Sequence, residues 1–384
     1  MPKTTIEQLA EFGQSAWLDN ISRGLIESGR LKEMISLGLR GVTSNPTIFD
    51  KAISQSSDYN DKIARLRREG KSAFEIYDEL TIADIQEAAD MFKPLYERTK
   101  GLDGYVSLEV NPRLASLSAE TIQEAERLHK KLNRKNAMLK IPATTEGFAA
   151  IEELVSQGIN INATLIFSLE QYTKTAEAFI RGLKRLSLKP GDLSRTRSVA
   201  SVFVSRIDTV VDNTLEDLAR KEKDSALRNE LQALKGKAAA ANVALIYQRS
   251  REIFSRDEFR LLEKSGANIQ RPLWASTGTK NPAYSNIKYI EELIARDTVN
   301  TAPENTLEAF LAGGKVKEAL SDDIKKAQDI LIRLKRFGIE ADAICQKLLK
   351  DGIILFENSF DSLLKSIENK ISNIKDQESV KCAS

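Results

Sequence analysis

The sequence predicts the α/β fold class, as a (β/α)8 TIM barrel with additional helices that include a C-terminal helical extension. Short apolar runs alternate with longer, charged segments of helical period, which is typical of βαβ units around a parallel sheet. Eight such runs occur in the chain, and this number favours a closed barrel over a doubly wound sheet. The predicted strands are Ala16–Leu18, Gly38–Val42, Gly104–Val110, Ala137–Ile141, Gly158–Phe167, Ser198–Val204, Pro272–Ala275 and Asp297–Ala302.

The segments between the strands predict helices, and two regions are longer than one crossover needs. Asp50–Lys100 is long enough for two or three helices. Over residues 321–375 apolar side chains recur at helical spacing, which predicts an extension packed on the barrel. We therefore expect a catalytic barrel domain over residues 1–320, the helical extension over 321–375, and a polar, frayed tail over 376–384.

The composition excludes several classes of function. The chain carries 57 Lys and Arg against 55 Asp and Glu, and a net charge of +2 provides no basic field for nucleic acid or an anionic membrane. Its cysteines, Cys345 and Cys382, cannot form a disulfide framework or a multi-cysteine metal site. Its single histidine, His129, excludes most zinc clusters and argues against a histidine-based triad.

The chain also lacks the sequence marks of a membrane or exported protein. No apolar run approaches the ~18 residues of a membrane span, and the N-terminus contains no apolar signal core. We therefore expect a soluble, cytoplasmic protein with no nucleic-acid and no membrane partner. Its chemistry would have to use lysine, carboxylates, hydroxyls, amides or the backbone.

Polar residues interrupt or follow nearly every predicted strand near its carboxyl end. Strands of a parallel barrel are buried on both faces and ordinarily read as apolar. Active sites of this barrel gather at the carboxyl ends of several strands. The polar residues are Asp19, Thr43, Ser44, Asn45, Glu109, Lys140, Asn160, Asn162, Thr164, Ser201, Arg206 and Ser276. We expect them to meet at one end of the barrel.

Lys140 lies inside an apolar strand, and this makes it the strongest single candidate for a catalytic residue. A lysine there either reaches solvent or an ion pair, or it is desolvated inside the barrel. Desolvation disfavours the ammonium, so we expect a lowered pKa and a neutral amine that can attack a carbonyl. Asp19, Glu109 and Thr164 supply the acid/base groups and the water-holding hydroxyl that amine–carbonyl chemistry needs. The combination favours Schiff-base catalysis.

Each partner of Lys140 also has a plainer structural explanation. Asp19 could be the N-cap of the following helix. Glu109 could pair with Arg113, and Arg206 could pair with Asp208. These alternatives stay open at the level of the residues alone.

Three further segments are equally ambiguous by themselves. Asn45 precedes a proline and is first of all a turn signal. Thr164 fits a strand on propensity alone. The loop Ser276–Lys280 contains glycine, and its backbone N–H groups could bind phosphate, although it is not a Walker A sequence.

Taken together, segments spread over most of the chain resemble the transaldolases, in the order found in that family. The set is specific as a whole, and its length and Trp274–Lys280 loop resemble the longer bacterial branch. The matching segments are Gly41–Phe49 (N-terminal signature), Met138–Thr144 (active-site lysine), Gly158–Ser168, Ser201–Asp208, Leu273–Pro282 and Asn300–Thr306. The resemblance extends from Trp17 to about Phe310.

The resemblance implies a class I aldolase-type barrel that uses neither a metal nor an organic cofactor. The implied transferase moves a dihydroxyacetone unit from sedoheptulose 7-phosphate to glyceraldehyde 3-phosphate. The products are erythrose 4-phosphate and fructose 6-phosphate, in the non-oxidative pentose phosphate pathway. Its partners would be small sugar phosphates, and a homodimer is left open.

The resemblance also implies roles for individual residues. Lys140 would form the Schiff base with the ketose C2, and Asp19 would be the acid/base at the bond that breaks. Glu109 would move protons through a water held by Thr164 during imine formation and hydrolysis. The implied binding residues are Asn45, Asn162 and Ser201 for the hydroxyls, Phe203 as a pocket wall, and Arg206 and Ser276 for the phosphate.

One departure from the family concerns the phosphate. Many transaldolases carry a second arginine two residues after the serine that aligns with Ser276, and this chain has Gly278 there. Lys280 is the expected substitute, as a point charge for phosphate. Ser205 also stands where shorter members often have glycine, with no obvious chemical consequence.

Two other functions compete with the transferase. A fructose 6-phosphate aldolase would use the same lysine and release free dihydroxyacetone, but such enzymes resemble a shorter barrel, and Glu109 favours the transferase. A non-catalytic sugar-phosphate binding protein would not need a desolvated amine with Asp19, Glu109 and Thr164 around it.

Overall fold

The computed structural model describes residues 2–189, 192–320 and 324–383, with residues 373–383 as backbone only. Across these residues eight parallel strands, each paired with the next, close into a barrel. The strands are β1 Gln14–Leu18, β2 Gly41–Thr43, β3 Tyr105–Glu109, β4 Ala137–Pro142, β5 Ile161–Ile166, β6 Ser198–Phe203, β7 Gln270–Ala275 and β8 Thr298–Ala302. The predicted (β/α)8 barrel is confirmed.

Helices surround the barrel and connect its strands. They are α1 Thr5–Phe12, α2 Arg23–Glu27, α3 Arg30–Ser36, α4 Pro46–Ser54, α5 Asn60–Arg68, α6 Ala73–Arg98, α7 Ser118–Leu132, α8 Thr145–Val155, α9 Leu169–Ser187, α10 Ser205–Lys221, α11 Ser225–Leu234, α12 Ala238–Phe254, α13 Asp257–Lys264, α14 Lys288–Glu291, α15 Glu304–Gly313, α16 Lys325–Arg336 and α17 Ala341–Ala383. Short 3-10 helices cover Pro112–Leu114 and Leu193–Arg195. In the part of the chain described here, no helix is both long and apolar enough to cross a bilayer.

The strand boundaries differ from the predicted ones where polar residues are buried. β1 and β7 begin at Gln14 and Gln270, ahead of the predicted apolar runs. Gln14 Nε2 donates to Thr298 Oγ1 at 2.8 Å, and Gln270 Nε2 donates to Ser198 Oγ at 2.8 Å. β2 is shorter than predicted because Gly38, at φ 107°, belongs to the preceding turn. A search for apolar runs cannot detect strand residues of this kind.

The two long helical regions agree with the expected pattern. The connection after β2 contains α4, α5 and α6, so the prediction of two or three helices in that region is confirmed. The C-terminal extension consists of α16 and α17, which pack on helices of the barrel. Its expected start at residue 321 lies outside the described residues, and the α17 backbone continues to Ala383, past the expected end near 375. The division into domains stays a prediction.

The barrel interior below the carboxyl end of the strands is filled by large side chains. Trp17, Tyr105 and Met138 are at most 1% exposed, and the rings of Trp17 and Tyr105 lie 6.4 Å apart. A Cβ on Gly41 would come within 2.5 Å of the Trp17 ring, so only glycine fits at that position of β2. Since side chains alternate along a strand, Asp19, Glu109 and Lys140 point inward as Trp17, Tyr105 and Met138 do, but nearer the carboxyl end.

Candidate active site

The register of the strands brings Lys140 next to Glu109. Glu109 of β3 is the direct partner of Lys140 of β4, and Lys140 is the direct partner of Asn162 of β5. Lys140 is 4% exposed. Its Nζ lies 3.0 Å from Glu109 Oε2 and donates a hydrogen bond to the carbonyl oxygen of Ser44 at 2.8 Å. The lysine is therefore buried inside the barrel, and it is also ion-paired, so the structure combines the two arrangements that the sequence left open.

The Glu109 carboxyl is buried beside this single cation. Burial raises the pKa of Glu109, the charge of Lys140 opposes that rise, and the nearby charge of Asp19 adds to it. Glu109 Oε1 has no hydrogen-bond partner among the described residues. The alternative pairing with Arg113 is wrong, because Arg113 forms an ion pair of 2.5 Å with Asp361 of α17. Glu109 is thus free to exchange a proton with groups near Lys140.

Asp19 faces the same space from the end of β1. Thr43 Oγ1 donates to Asp19 Oδ1 at 2.8 Å, and Thr43 is in turn 2.8 Å from the hydroxyl of Thr301. Burial raises the pKa of Asp19, and the positive charge of Lys140 opposes the rise. The N-cap explanation is wrong, because the cap of α2 is Ser22, whose Oγ accepts from the Leu25 N–H at 3.1 Å.

Thr164 is placed by an irregularity in β5. The register between β5 and β6 shifts between Ala163 and Ile166, and Leu165 adopts φ 57° in the left-handed region. A conformation of this kind costs a non-glycine residue about 1–3 kcal/mol and is found preferentially at functional sites. Thr164 is fully buried, and its Oγ1 has no hydrogen-bond partner in the described part of the chain. Its hydroxyl is therefore available to a bound molecule.

Asn162 and Ser201 form a buried polar pair beside Lys140. Ser201 Oγ donates to Asn162 Oδ1 at 2.6 Å, and Asn162 Nδ2 donates to Ser107 Oγ at 3.1 Å. Asn45 lies across the barrel opening and caps α4, since its Oδ1 accepts from the Ile48 N–H at 2.9 Å. Asn45 is therefore the N-cap of a helix and not a turn residue, and it lines the site as well.

Arg206 lies near the start of α10, beside Phe203. The guanidinium carbon is 6.0 Å from the centre of the Phe203 ring, and Phe203 stacks on Phe167 at 5.3 Å. Burial lowers the pKa of the Arg206 guanidinium. The alternative pairing with Asp208 is wrong, because Asp208 accepts from the Ala239 N–H and the Tyr289 hydroxyl, both at 2.8 Å. Arg206 thus keeps its charge available to an anion.

The loop after β7 completes this end of the site. Ser276 adopts φ 56°, and its hydroxyl lies 3.1 Å from that of Ser205. A Cβ on Gly278 would come within 2.9 Å of Pro303 Cγ, so the backbone here has no room for the arginine found in many transaldolases. Lys280 is exposed and lines the same opening. This packing gives a physical reason for the departure seen in the sequence.

A cavity of about 220 Å³ joins these groups at the carboxyl end of the strands. Most predicted site residues line it, whereas Glu109 and Asn162 lie beneath the lining, next to Lys140 and Ser201. The expectation for Asn160 is wrong, because it precedes β5 at the amino end of the strands and donates to the carbonyl oxygens of Lys135 and Ala137. Lining residues absent from the predicted set are Thr47, Ile48, Lys51, Ala275, Thr301, Leu355 and Phe356, whereas Thr43 is one of the polar residues expected at this end of the barrel. Among the described residues no group of three His, Cys, Asp or Glu side chains is arranged to hold a metal ion.

The missed residues differ in how far the sequence could have indicated them. Thr47 and Ile48 belong to the segment that follows β2, where the sequence already predicts a site. Leu355 and Phe356 come from α17, more than two hundred residues after Lys140 in sequence. Nothing in a helical apolar repeat distinguishes a side chain that packs on a helix from one that enters a cavity.

Comparison with known proteins identifies the family of the chain. A family model described as transaldolase/fructose-6-phosphate aldolase matches residues 16–367. A transaldolase of Trichodesmium erythraeum is 43% identical in an alignment covering 96% of this chain and 97% of that relative. Transaldolase 2 of Streptomyces coelicolor is 43% identical over 96% of this chain and 98% of its own. A transaldolase of Neisseria gonorrhoeae is 40% identical over 94% and 99%. The expected resemblance is confirmed, and the chain belongs to the transaldolase/fructose-6-phosphate aldolase family.

Proposed function

We propose that this enzyme is a transaldolase, a transferase that carries a dihydroxyacetone unit between sugar phosphates through a Schiff base on Lys140. The donor and acceptor of the reaction are sedoheptulose 7-phosphate and glyceraldehyde 3-phosphate, and the products are erythrose 4-phosphate and fructose 6-phosphate. The observation that carries the proposal is the buried Lys140 amine, 3.0 Å from Glu109 and on the wall of a cavity that Asp19 also lines. A purely structural lysine would not need two carboxyls with raised pKa values around it.

Lys140 and Glu109 carry out the first half of the reaction, the formation of the imine. The neutral amine adds to the ketose C2, and water leaves as the imine forms. Glu109 accepts the lysine proton and returns it to the departing hydroxyl, through a water held by Thr164. Two features support this role: the short ion pair, and the buried Glu109 and Thr164 oxygens that have no partner among the described side chains.

Asp19 acts on the bond that breaks. Its carboxylate takes the hydroxyl proton from the aldehyde half of the sugar as the carbon–carbon bond breaks, while the imine accepts the electron pair. It returns the proton to the oxygen of the acceptor aldehyde when the new bond forms. The hydrogen bond from Thr43 orients the carboxylate, and burial, which raises the pKa of Asp19, makes the carboxylate a better proton acceptor than an exposed one.

The remaining lining residues bind the sugar. Asn45, Asn162 and Ser201 offer amides and a hydroxyl to the dihydroxyacetone unit, and Phe203 limits the pocket beside them. The phosphate would be held by Arg206 and Ser276, with Lys280 as the second cation. Lys280 suits this role because its side chain is exposed at the cavity opening. From there its flexible, point-like charge can follow a phosphate that shifts its position.

The acceptor dependence of the reaction tests the proposal. Fructose 6-phosphate is supplied with and without erythrose 4-phosphate, and sedoheptulose 7-phosphate, glyceraldehyde 3-phosphate and free dihydroxyacetone are quantified. We expect product formation that depends on the acceptor. Equal cleavage without acceptor, with release of free dihydroxyacetone, would assign the aldolase function instead. Binding of fructose 6-phosphate with no product in either mixture would assign the non-catalytic function.

The compartment and the assembly belong to the proposal as well. A cytoplasmic location fits a pathway of soluble sugar phosphates and a chain with only two cysteines. A homodimer is the assembly to test first, by light scattering of the purified protein across a range of concentrations. A single mass equal to that of one chain at all concentrations would exclude it.

A further inference from the structure

The C-terminal helix α17 contributes one aromatic side chain to the active site. Along α17 the fully or nearly buried residues Phe356, Phe360, Leu363 and Ile367 form a stripe at helical spacing. The helix packs on α4, α5, α6 and α10 at the carboxyl end of the barrel. Only the first of these four residues, Phe356, lines the cavity, together with its neighbour Leu355.

Phe356 lies directly over the reactive amine. The centre of its ring is 6.0 Å from Lys140 Nζ, and the side chain is 3% exposed. Phe360, one turn further along α17, points elsewhere. Its ring lies edge-on to Tyr77 at 5.2 Å and is 5.6 Å from the Arg113 guanidinium. The helix α17 therefore places one phenylalanine in the cavity and a second one in the packing outside it.

Specific contacts fix the position of α17 relative to the barrel. The hydroxyls of Thr47 and Ser359 lie 2.8 Å apart, so the helix is joined to α4 within one turn of Phe356. Lys370 Nζ donates to the Ser56 carbonyl oxygen at 2.6 Å and to Asn60 Oδ1 at 2.7 Å. These contacts hold the Phe356 ring over Lys140 without help from substrate.

The position of the Phe356 ring over Lys140 matters because the three-carbon unit bound to the lysine can react in two ways after the carbon–carbon bond breaks. In transfer, the nucleophilic carbon of the enamine attacks the acceptor aldehyde, and the aldehyde oxygen takes a proton. In release, that carbon takes a proton from water instead, hydroxide adds to C2, and the C2–N bond breaks. Release consumes one water, yields free dihydroxyacetone and restores the Lys140 amine. The access of water to the enamine therefore determines whether the enzyme acts as a transferase or as an aldolase.

We propose that Phe356 is a specificity-determining residue that keeps water from the enamine on Lys140 and so favours transfer over release. A carbon two bonds from Nζ can reach van der Waals contact with a ring centred 6.0 Å from Nζ. An apolar wall at that place excludes water without competing for the sugar hydroxyls. The inference rests on the proposed transaldolase function and adds to it the residue that separates this activity from the aldolase activity of the same family.

The test is the ratio of dihydroxyacetone release to sedoheptulose 7-phosphate formation, with fructose 6-phosphate as donor and erythrose 4-phosphate as acceptor. Phe356→Ala should raise this ratio about tenfold or more, and Phe356→Leu, which keeps most of the apolar volume, by a smaller factor. Phe360→Ala is the matched control, because it removes the same side chain from the same helix outside the cavity. It should lower stability and leave the ratio unchanged.

The outcomes separate this inference from the proposed function. An unchanged ratio in Phe356→Leu and in any folded Phe356→Ala protein would overturn the inference alone, provided that the wild-type protein transfers. An equal rise in Phe360→Ala would also overturn it, because general loosening of α17 would then be sufficient. If the wild-type protein already releases dihydroxyacetone as fast as it transfers, the proposed function itself fails.

Discussion

The two ends of the barrel each bury an ion pair, and they differ in the balance of charge. At the base, Asp103 receives hydrogen bonds from Ser15 at 2.6 Å, Arg40 at 3.0 Å and Arg271 at 3.1 Å. At the opposite end, the carboxyls of Glu109 and Asp19 lie near the ammonium of Lys140, and the charge of Lys280 also acts on Asp19. The base thus pairs one carboxylate with two guanidiniums, whereas at the Lys140 end burial raises the pKa of two carboxyls.

This difference indicates what each end does. Guanidinium groups are permanently charged and hold fixed geometry, so the base is suited to stabilising the strands. At the Lys140 end the pKa values of Asp19 and Glu109 are raised by burial, and Glu109 and Thr164 oxygens there have no hydrogen-bond partner among the described residues. The comparison predicts that substitutions at the Lys140 end change the chemistry, whereas substitutions at the base change stability.

The largest effect is expected from Lys140→Ala. Without the amine no Schiff base forms, and kcat should fall by about 10⁴-fold or more. The fold should survive, because Glu109 can take up a proton once its cation is gone. Steady-state kinetics and circular dichroism check both statements. Transfer at a measurable fraction of the wild-type rate would show that the lysine is structural.

Asp19→Ala should slow bond cleavage by about 10²–10⁴-fold and leave imine formation intact. The expected result is a low kcat together with an undiminished adduct that borohydride can trap with fructose 6-phosphate. Wild-type turnover in this variant would show that another group handles the hydroxyl proton.

At the base, Arg271→Met should lower the free energy of unfolding by about 3–5 kcal/mol, since Asp103 loses one of its two cations in a buried place. The kcat of the folded fraction should be unchanged, because the residue lies at the other end of the barrel from Lys140. Urea unfolding and active-site titration measure the two quantities. A loss of kcat without a loss of stability would reverse the roles assigned to the two ends.

A smaller effect is expected when the free energies of unfolding of the wild type and of Glu109→Gln are compared as a function of pH. Burial raises the folded-state pKa of Glu109 above its ordinary value of 4.5. Between that value and the raised one, the folded protein holds a proton that the unfolded chain has lost. Wild-type stability should therefore fall relative to the variant as pH rises through this window, by about 1.4 kcal/mol for each unit of the rise. Urea unfolding at several pH values checks the sign, and a difference that grows in favour of the wild type would contradict it.

The fold could be predicted from the sequence because its signals are local. Apart from its polar residues, each strand is an apolar run in the sequence. These runs alternate with segments of helical period. The parts that the apolar pattern misses are Gln14 and Gln270, whose hydrogen bonds to Thr298 and Ser198 of neighbouring strands make buried polar side chains acceptable there. No local pattern contains that information.

The candidate site was predictable to a similar extent. Glu109, Lys140 and Asn162 lie on neighbouring strands in direct register, so parallel pairing is enough to bring them together. Phe356 could not be found in this way, because its place depends on how α17 packs across the barrel. The tight contact between Gly278 and Pro303 likewise depends on tertiary packing, although the glycine itself was visible as a departure from the family.

The most direct test of the account is to reduce the protein with borohydride in the presence of fructose 6-phosphate and map its peptides by mass spectrometry. We expect a dihydroxyacetone-derived mass on the peptide that contains Lys140, and none in Lys140→Ala. An unmodified Lys140 in folded protein with donor present would contradict the Schiff-base mechanism and leave the binding function as the explanation of the site.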